Sequence, residues 1–437
     1  MKRFIFSLTA AFLIFFALPA FAQSSAQKFS VNGITVIMKP TVKDIINVSV
    51  YYKGGVTNYP ADKAGIEDLA LAGATECGTK LYSKDEFKNI ADKYGINILG
   101  NSTYDYGVIS LNCIAKYFNE GWNLLAEAIK DPIYGEKEFE LLKQRRISGL
   151  KNADANPDSK INKMAIANTF KGTPYAIDPD GEINTVSSFS ADQVKDYYYN
   201  TLLNKNRMFV VVVGKISKNE IISKIKKAFS ALTDKPYTPF SYHTPEISSN
   251  TLNVEPRKLA TNYIIGVVNA PLFTSKDFVA NRLAVSAFST NLFTEIRTKR
   301  NLSYAPYAVP MRQQMPFNYM YVSTTNPKAS VEVMVNEINR LITKGFSQKE
   351  FNDIKNLYIT SNYMKEESTD MMASSLGRSE ILGDWKMDEE FIPRIQKTTP
   401  LDMTNVFKKY IKGINWNYLG NEKEADEAKD AFNMKVE

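Results

Sequence analysis

The second half of this 437-residue chain repeats the order of predicted strands and helices found in the first half. The first half predicts β-rich segments, helices, a strand pair, two long helices and then the buried strand NRMFVVVVGKI. The second half predicts the strand TNYIIGVVNAP, a long helix, the strand FNYMYVSTTNP, more helices and the closing strand INWNYLG. Such a repeated order indicates internal duplication. We therefore predict an α+β fold of two homologous domains, each a mainly antiparallel sheet covered by helices on one face.

Helix periodicity and capping residues place the predicted helices. Ser83 with Glu86 three residues later has the spacing of a capping box, which satisfies free N–H groups at a helix start. The helices predicted in this way cover residues 63–76, 83–94, 119–130, 136–155, 218–232, 276–300, 330–343, 347–365 and 401–412.

The stretch DKPYTPFSYHTPEISSN is rich in proline, serine and threonine, which is typical of a linker. It divides the chain into a predicted N-terminal domain at 23–235, a linker at 236–250 and a C-terminal domain at 251–437. His243, the only histidine of the chain, lies in this linker, where we expect a solvated side chain. A single histidine excludes a zinc site built from several imidazoles, and it excludes a His-based relay.

Residues 1–22 have the pattern of a secretory signal peptide, with Lys2 and Arg3 ahead of an apolar run and an Ala-Phe-Ala cleavage signal. The alternative is an uncleaved membrane anchor, but the run is short for a span. We therefore expect a periplasmic protein that is soluble and not membrane-bound after cleavage. The 52 basic and 47 acidic residues that follow this leader form no dense basic block, which argues against nucleic-acid binding.

Cys77 and Cys113 are the only cysteines. An oxidising compartment permits a disulfide between them, and two unpaired buried thiols are the alternative. The sequence leaves this choice open.

The stretch AGIEDLALAGATECGTKLYS resembles the first long helix of the pitrilysin/insulinase-type peptidases, in a short, processing-protease-like form. The resemblance implies a clamshell half built from two homologous domains. In active members this helix carries the zinc motif H-x-x-E-H, whose glutamate is the general base. Here the three motif positions are Asp68, Leu71 and Ala72, and Gly149 stands at the later glutamate ligand. We therefore expect this chain to have no metal or other cofactor, and we expect solvated or capping roles for Glu67 and Asp68.

The stretch LFTEIRTKRNLSYAPYA resembles the family's second signature, an arginine and a tyrosine seven positions apart. The resemblance implies that Arg297 and Tyr304 donate hydrogen bonds to a peptide substrate opposite a zinc site. The alternative is that Arg297 pairs with Glu295 or another acid while Tyr304 packs.

Several other groups invite a functional role, but a structural role is the simpler expectation. The dipeptide Pro174-Tyr175, preceded by Thr173, resembles a family His-Pro-Tyr stretch and is expected to be an ordinary loop. Arg145 and Arg146 are expected to lie on a solvated helix face. The tyrosines Tyr51, Tyr52 and Tyr197 to Tyr199 are expected to pack in the interior.

These features predict the zinc-less subunit of a heterodimeric metallopeptidase. Its partner would be a homologous subunit that bears H-x-x-E-H and the zinc, and its substrates would be unfolded peptides added as a strand to a sheet edge. Alone, the chain would be inactive. The alternatives are an inert peptide-binding or scaffold homologue, and a homodimer that binds peptides without cutting them.

Overall fold

The computed structural model describes residues 25–437, so the predicted signal peptide lies outside the described residues. The chain forms two β-sheets whose central strands are buried along almost their whole length. The strands of the first sheet are β1 Gln27–Val31, β2 Ile34–Pro40, β3 Ile45–Lys53, β4 Asn97–Ser102, β5 Tyr106–Ile114 and β6 Met208–Gly214. Those of the second are β7 Thr251–Pro256, β8 Asn262–Asn269, β9 Tyr307–Pro310, β10 Phe317–Thr324 and β11 Asn415–Gly420.

The two sheets share one topology. The first has the strand order β1-β2-β6-β3-β5-β4 and the second has β7-β11-β8-β10-β9. If β1 is left out, the two strand orders match strand for strand. Each sheet has one parallel pair, which is β2 with β6 in the first sheet and β7 with β11 in the second. The structure therefore confirms the α+β fold and supports duplication. The boundaries at 235 and 251 stay a prediction, although residues 233–248, all described, contain no helix or strand.

The helices of the first half are α1 Ile66–Glu76, α2 Lys84–Tyr94, α3 Phe118–Lys130, α4 Glu136–Ala155, α5 Pro157–Thr169, α6 Ile183–Ser188, α7 Ala191–Tyr197 and α8 Lys218–Phe229. Those of the second are α9 Phe278–Leu292, α10 Pro327–Lys344, α11 Gln348–Glu366, α12 Thr369–Ile381, α13 Lys386–Lys397, α14 Pro400–Tyr410, α15 Glu422–Glu427 and α16 Lys429–Phe432. Each of the nine predicted helices overlaps one of these, and α2 begins with the predicted capping box at Ser83. Among the helices that the prediction missed, α12 and α13 matter most for the fold.

Helix α12 corrects the expectation that helices cover only one face of each sheet. Although it belongs to the second half, it packs on the first sheet, where Met372, Ala373 and Leu376 form a core with Tyr51 and Phe209. Gly377 permits this close approach, because a Cβ there would lie 2.1 Å from Cζ of Tyr51. Burial of both faces explains why every residue of β6 is buried.

Helix α5 makes the reciprocal contact, packing from the first half onto strands β8 and β11 of the second sheet. The side-chain amide of Asn168 on α5 donates a 2.8 Å hydrogen bond to Oδ1 of Asn417 on β11. The hydroxyl of Tyr321 on β10 donates to the carboxylate of Asp158 at the start of α5. Each half therefore supplies one helix that completes the core of the other half.

A buried hydrogen-bond cluster also joins the two halves. Asp105, after β4, accepts hydrogen bonds from the hydroxyl of Tyr175 and, at 3.2 Å, from the backbone N–H of Gln314. The Tyr175 oxygen in turn accepts from the backbone N–H of Met315 at 3.3 Å. Tyr175, expected to be an ordinary loop residue, is therefore a fully buried part of the joint between the halves. Within residues 25–437, no helix is both long and apolar enough to cross a bilayer.

Candidate functional site

Asp68, at the first position of the former zinc motif, is buried in an ion pair. Its Oδ2 lies 3.0 Å from Nε of Arg146 on α4, and its Oδ1 accepts from the backbone N–H of Ser102 at 3.3 Å. Burial raises the pKa of Asp68 to about 6, although the Arg146 guanidinium acts to lower it. The expectation of a solvated Asp68 is therefore wrong, whereas Arg146 is 37% exposed and pairs with Asp68. Arg145, by contrast, is largely exposed and pairs with Glu76.

Glu67 is fully buried as well, which corrects the expectation of a solvated or capping carboxylate. Its Oε2 accepts hydrogen bonds from the Asn58 amide at 2.8 Å and from the Tyr197 hydroxyl at 2.7 Å. Its Oε1 accepts from the Ser102 hydroxyl at 3.2 Å. Burial raises the pKa of Glu67 to about 7, against the opposing effect of these donors. Both carboxylate oxygens therefore meet protein donors, which gives Glu67 a structural role.

Leu71 and Ala72, at the general-base and second-ligand positions, have 0% exposure. Helix α1 lies directly against the end of the first sheet, since a Cβ at Gly100 of β4 would be 2.0 Å from the Leu71 carbonyl oxygen. The Leu71 side chain fills the space above Gly107 on β5, where Cδ1 is 2.3 Å from the position of an added Cβ. An apolar side chain that cannot accept a proton thus occupies the place of the base.

Gly149, at the later ligand position, is exposed on α4, and a Cβ there would meet nothing within 4 Å. It lies one turn beyond Arg146, so both positions share a face of the helix. In residues 25–437, no three His, Cys, Asp or Glu side chains are grouped to hold a metal ion. Asp68 alone offers one carboxylate, already paired, and zinc requires three or four ligands. The residues at this place therefore do not fit a zinc ion.

Arg297 and Tyr304 are brought together by the structure. Helix α9 continues as a π-helical segment, Phe293–Thr298, and the following loop carries Tyr304 back over Arg297. The guanidinium carbon of Arg297 lies 4.1 Å from the centre of the Tyr304 ring and 4.9 Å from that of Phe293. Tyr304 is 77% exposed, so it does not pack in a core.

Glu295 is not the partner of Arg297. Its carboxylate pairs with Lys299 at 2.6 Å and with Arg300 at 2.7 Å. Across residues 25–437, Arg297 has neither an ion pair nor a side-chain hydrogen bond, so its donors are available to a ligand. The substrate-holding role of Arg297 and Tyr304 stays a prediction.

The remaining expectations concern cysteine and tyrosine. Cys77 and Cys113 are both free and buried, and burial raises their pKa values to about 12 and about 11. These thiols are therefore protonated and unreactive at neutral pH. The Tyr197 to Tyr199 group does pack, as expected, but Tyr197 also fixes Glu67, a contact that no sequence pattern indicated.

Comparison with known proteins relates these observations to a family. Residues 188–358 match the family model described as the peptidase M16 inactive domain. An uncharacterized zinc protease of Rickettsia felis is 24% identical over 403 residues, covering 88% of this chain and 94% of that protein. Zinc protease PqqE of Helicobacter pylori is 22% identical over 326 residues, or 72% of each chain. Non-peptidase homolog YmxG of the same organism is 19% identical over 386 residues, covering 86% of this chain and 89% of that protein.

The fold has a solved counterpart. A crystal structure of the peptidase M16 inactive domain from Pseudomonas fluorescens has a TM-score of 0.83 at 16% identity, covering 91% of this chain and 98% of that chain. At this identity the likeness concerns the fold alone. The family match runs from the end of the first half into the second and includes Arg297 and Tyr304, and the relatives extend over both halves. The chain is therefore similar to M16 peptidases and to a non-peptidase homolog over most of its length, and its sequence lacks the H-x-x-E-H motif.

Proposed function

We propose that this chain is the zinc-less subunit of a periplasmic two-subunit metallopeptidase. Its partner supplies H-x-x-E-H and the zinc, while Arg297 and Tyr304 hold the peptide on the opposite side of the reacting carbonyl. The observation that carries the proposal is the contact between half-buried Arg297, which has no ion pair among residues 25–437, and exposed Tyr304, in a chain with Leu71 and Ala72 at the motif positions of the metal site. Donors fixed in place assist catalysis when a metal polarises the carbonyl from the other side, and residues 25–437 contain no cluster that could hold such a metal.

A peptide has a place to dock in this arrangement. Strand β4 is the last strand of the first sheet and runs alongside α1, with Leu99 55% exposed. An edge strand offers backbone N–H and C=O groups to an extended peptide, which adds as a further strand. Only unfolded segments can pair in this way, so the substrates are unfolded peptides.

The relatives also favour a two-subunit enzyme. Helicobacter pylori contains both a relative named as a zinc protease and one named as a non-peptidase homolog. An organism with both kinds of chain has the parts that a complementary pair requires. The same observation supplies the second candidate function, an inert binding or scaffold homologue, because one relative is named as not being a peptidase.

The test mixes the purified chain with an H-x-x-E-H homologue from the same organism and measures hydrolysis of an unstructured fluorogenic peptide. We expect turnover in the mixture, none with this chain alone, and zinc that co-purifies with the partner. Arg297→Ala or Tyr304→Phe in this chain should reduce kcat/KM about 100-fold, the usual effect of losing one fixed donor to a reacting carbonyl.

Lys299→Ala is the matched control, since it removes a nearby exposed cation but leaves the Arg297–Tyr304 contact in place. It should leave turnover within about twofold of the wild type, as surface substitutions usually do. A stable complex without hydrolysis would establish the scaffold function instead. Hydrolysis that is unchanged by Arg297→Ala would remove the assigned role of the pair, and self-association without a partner would support a peptide-binding homodimer.

The predicted compartment has its own measurement. Fractionation of cells that produce the full chain should recover a shortened protein, cut after Ala22, in the periplasmic fraction. Recovery of the uncut chain in the membrane fraction would show instead that the leader acts as an anchor.

A further inference from the structure

A second cleft, far along the chain from α1, contains arginines without acidic partners. It has a volume of about 290 Å3 and lies where α9, α11, α12 and α13 meet the loop after β9. Arg282 from α9 and Arg312 from this loop both line it, as do Lys365 and Asp388. Charged side chains are rarely placed together in a cleft without a counter-ion, because burial of an unpaired charge is costly.

The one carboxylate that lines this cleft is already occupied. Both oxygens of Asp388 accept from the Lys365 ammonium, at 2.9 and 3.0 Å, and the Ser375 hydroxyl donates to the same carboxylate. Because Asp388 is paired with Lys365, the guanidinium groups of Arg282 and Arg312 leave the cleft with an excess of positive charge.

Arg282 is held rigidly but its polar atoms are not satisfied. Its guanidinium carbon lies 4.6 Å from the ring centre of Phe391 and 4.9 Å from that of Tyr358. Its Nε is buried and has no hydrogen-bond partner. The aromatic rings fix the plane of the Arg282 guanidinium but give its N–H groups no hydrogen-bond acceptor. The guanidinium is therefore already oriented to donate to an acceptor on a bound ligand.

Arg312 is in a similar state. Within residues 25–437 it makes no ion pair and no side-chain hydrogen bond. Burial lowers its pKa to about 9, the neighbouring charges of Arg282 and Arg378 add to this effect, and the more weakly acting Asp388 opposes it. At neutral pH it remains charged, so two guanidinium groups without an ion-pair partner among residues 25–437 face the same cleft.

We propose that this cleft binds a small organic carboxylate that carries an aromatic or branched apolar group. Paired guanidinium forks match the two oxygens of a carboxylate. The rings of Phe273, Phe278 and Phe391 form an apolar wall beside the arginines. The volume is at the lower end of small-molecule sites, so the ligand is about the size of one amino-acid residue. This site is independent of the proposed peptidase role.

The test measures binding to the purified chain by isothermal titration calorimetry, with phenylacetate as the probe. Acetate has the same charge without the ring, 2-phenylethylamine has the ring with the opposite charge, and inorganic phosphate is a different oxyanion. We expect phenylacetate to bind with a Kd of about 1 mM or below, and the other three at least tenfold more weakly.

Arg312→Met should weaken phenylacetate binding at least tenfold, because it removes one of the two guanidinium groups that would bind the carboxylate. The ligand-free variant should melt at the wild-type temperature or above, because an unpaired buried charge is gone. A residue that merely supported the fold would lower the melting temperature when removed. Lys349→Met is the matched control, since it removes a charge from an exposed ion pair on α11 and should leave binding unchanged.

If Arg312→Met does not fold, Arg312→Lys serves as the second variant. It keeps the positive charge but loses the planar guanidinium, so it should still weaken binding. The proposal is overturned if phenylacetate gives no heat up to about 10 mM, or if Arg312→Met or a folded Arg312→Lys binds as the wild type does. Phosphate or acetate binding as tightly as phenylacetate would overturn the assigned ligand class.

Discussion

Helices α1 and α9 hold equivalent places in two sheets of one topology, yet their surroundings have diverged in opposite directions. Each follows the second strand of the shared pattern and packs against the strand at the same edge of its sheet, β4 or β9. On α1, the former metal positions are buried and Asp68 is paired with a protein cation. After α9, Arg297 and Tyr304 are in contact with each other and lack an acid. The α1 side is therefore closed by contacts within the protein, whereas the donors of Arg297 on the other side have no partner among residues 25–437.

Leu71→Glu gives the sharpest test of this divergence, because it restores the general base of the family motif to a place that no longer accepts it. A carboxylate at this fully buried position, between Gly100 and Gly107, should cost about 4 kcal/mol of unfolding free energy. Urea denaturation measures this loss. Leu71→Met is the control and should cost less than about 1.5 kcal/mol. Equal stability of the two variants would mean that α1 still contains a polar site.

The pH dependence of stability tests whether Glu67 is as deeply buried as the structure indicates. Its folded-state pKa of about 7 is above the ordinary value of 4.5, so between these pH values the folded protein keeps a proton that the unfolded chain has lost. The contribution of Glu67 to stability therefore falls as pH rises from 4.5 to 7. Glu67→Gln removes this titration.

Relative to the wild type, the Glu67→Gln variant should gain about 3 kcal/mol between the acidic and neutral ends of that range. Urea denaturation at several pH values measures the difference. Part of the pH slope should persist, because burial also raises the pKa values of Asp68 and Asp105 to about 6. Parallel curves for the two proteins would show that Glu67 titrates normally.

Arg146→Met removes the counter-ion of Asp68 and should cost about 2 kcal/mol at pH 8, less than a fully buried pair because Arg146 is 37% exposed and solvent screens it. At pH 5 the loss should be smaller, since Asp68 is then protonated. The double variant Asp68→Asn, Arg146→Met should recover most of the stability. A loss that is the same at both pH values would mean that packing of the arginine stem, not its charge, matters.

Gly149→Glu should have the smallest effect, because the exposed position has open space for a side chain. Replacing a helical glycine should stabilise the protein by about 0.5 kcal/mol, and Gly149→Ala should do at least as well. Thermal melting measures both. A large loss from Gly149→Glu alone would indicate that a carboxylate at this place meets the Asp68 region unfavourably. Comparing the stability changes of Gly149→Glu and Leu71→Glu then shows which of the two positions still tolerates the glutamate of the family pattern.

The sequence predicted the repeated element order and the capping box of α2, because both depend on local pattern, and motif spacing singled out Arg297 and Tyr304 without indicating that their side chains touch. It did not predict that Asp68 and Glu67 are buried. Their contacts come from four separate segments, which carry Arg146, Asn58, Tyr197 and Ser102. Sequence periodicity does not indicate contacts between such distant segments. Helix α12 was missed for a similar reason, since its apolar side faces a sheet more than 150 residues earlier in the chain.

The exchange of α5 and α12 between the halves has a consequence for synthesis. Strand β6 completes the first sheet at Gly214, but the helix that covers its second face ends at Ile381. At ordinary ribosome speeds, the intervening stretch takes on the order of ten seconds to emerge. During that interval the aromatic and branched side chains around Tyr51, Phe209 and Val211 face water. The nascent chain is therefore a natural client for a holding chaperone, and a fragment that ends before α12 should aggregate.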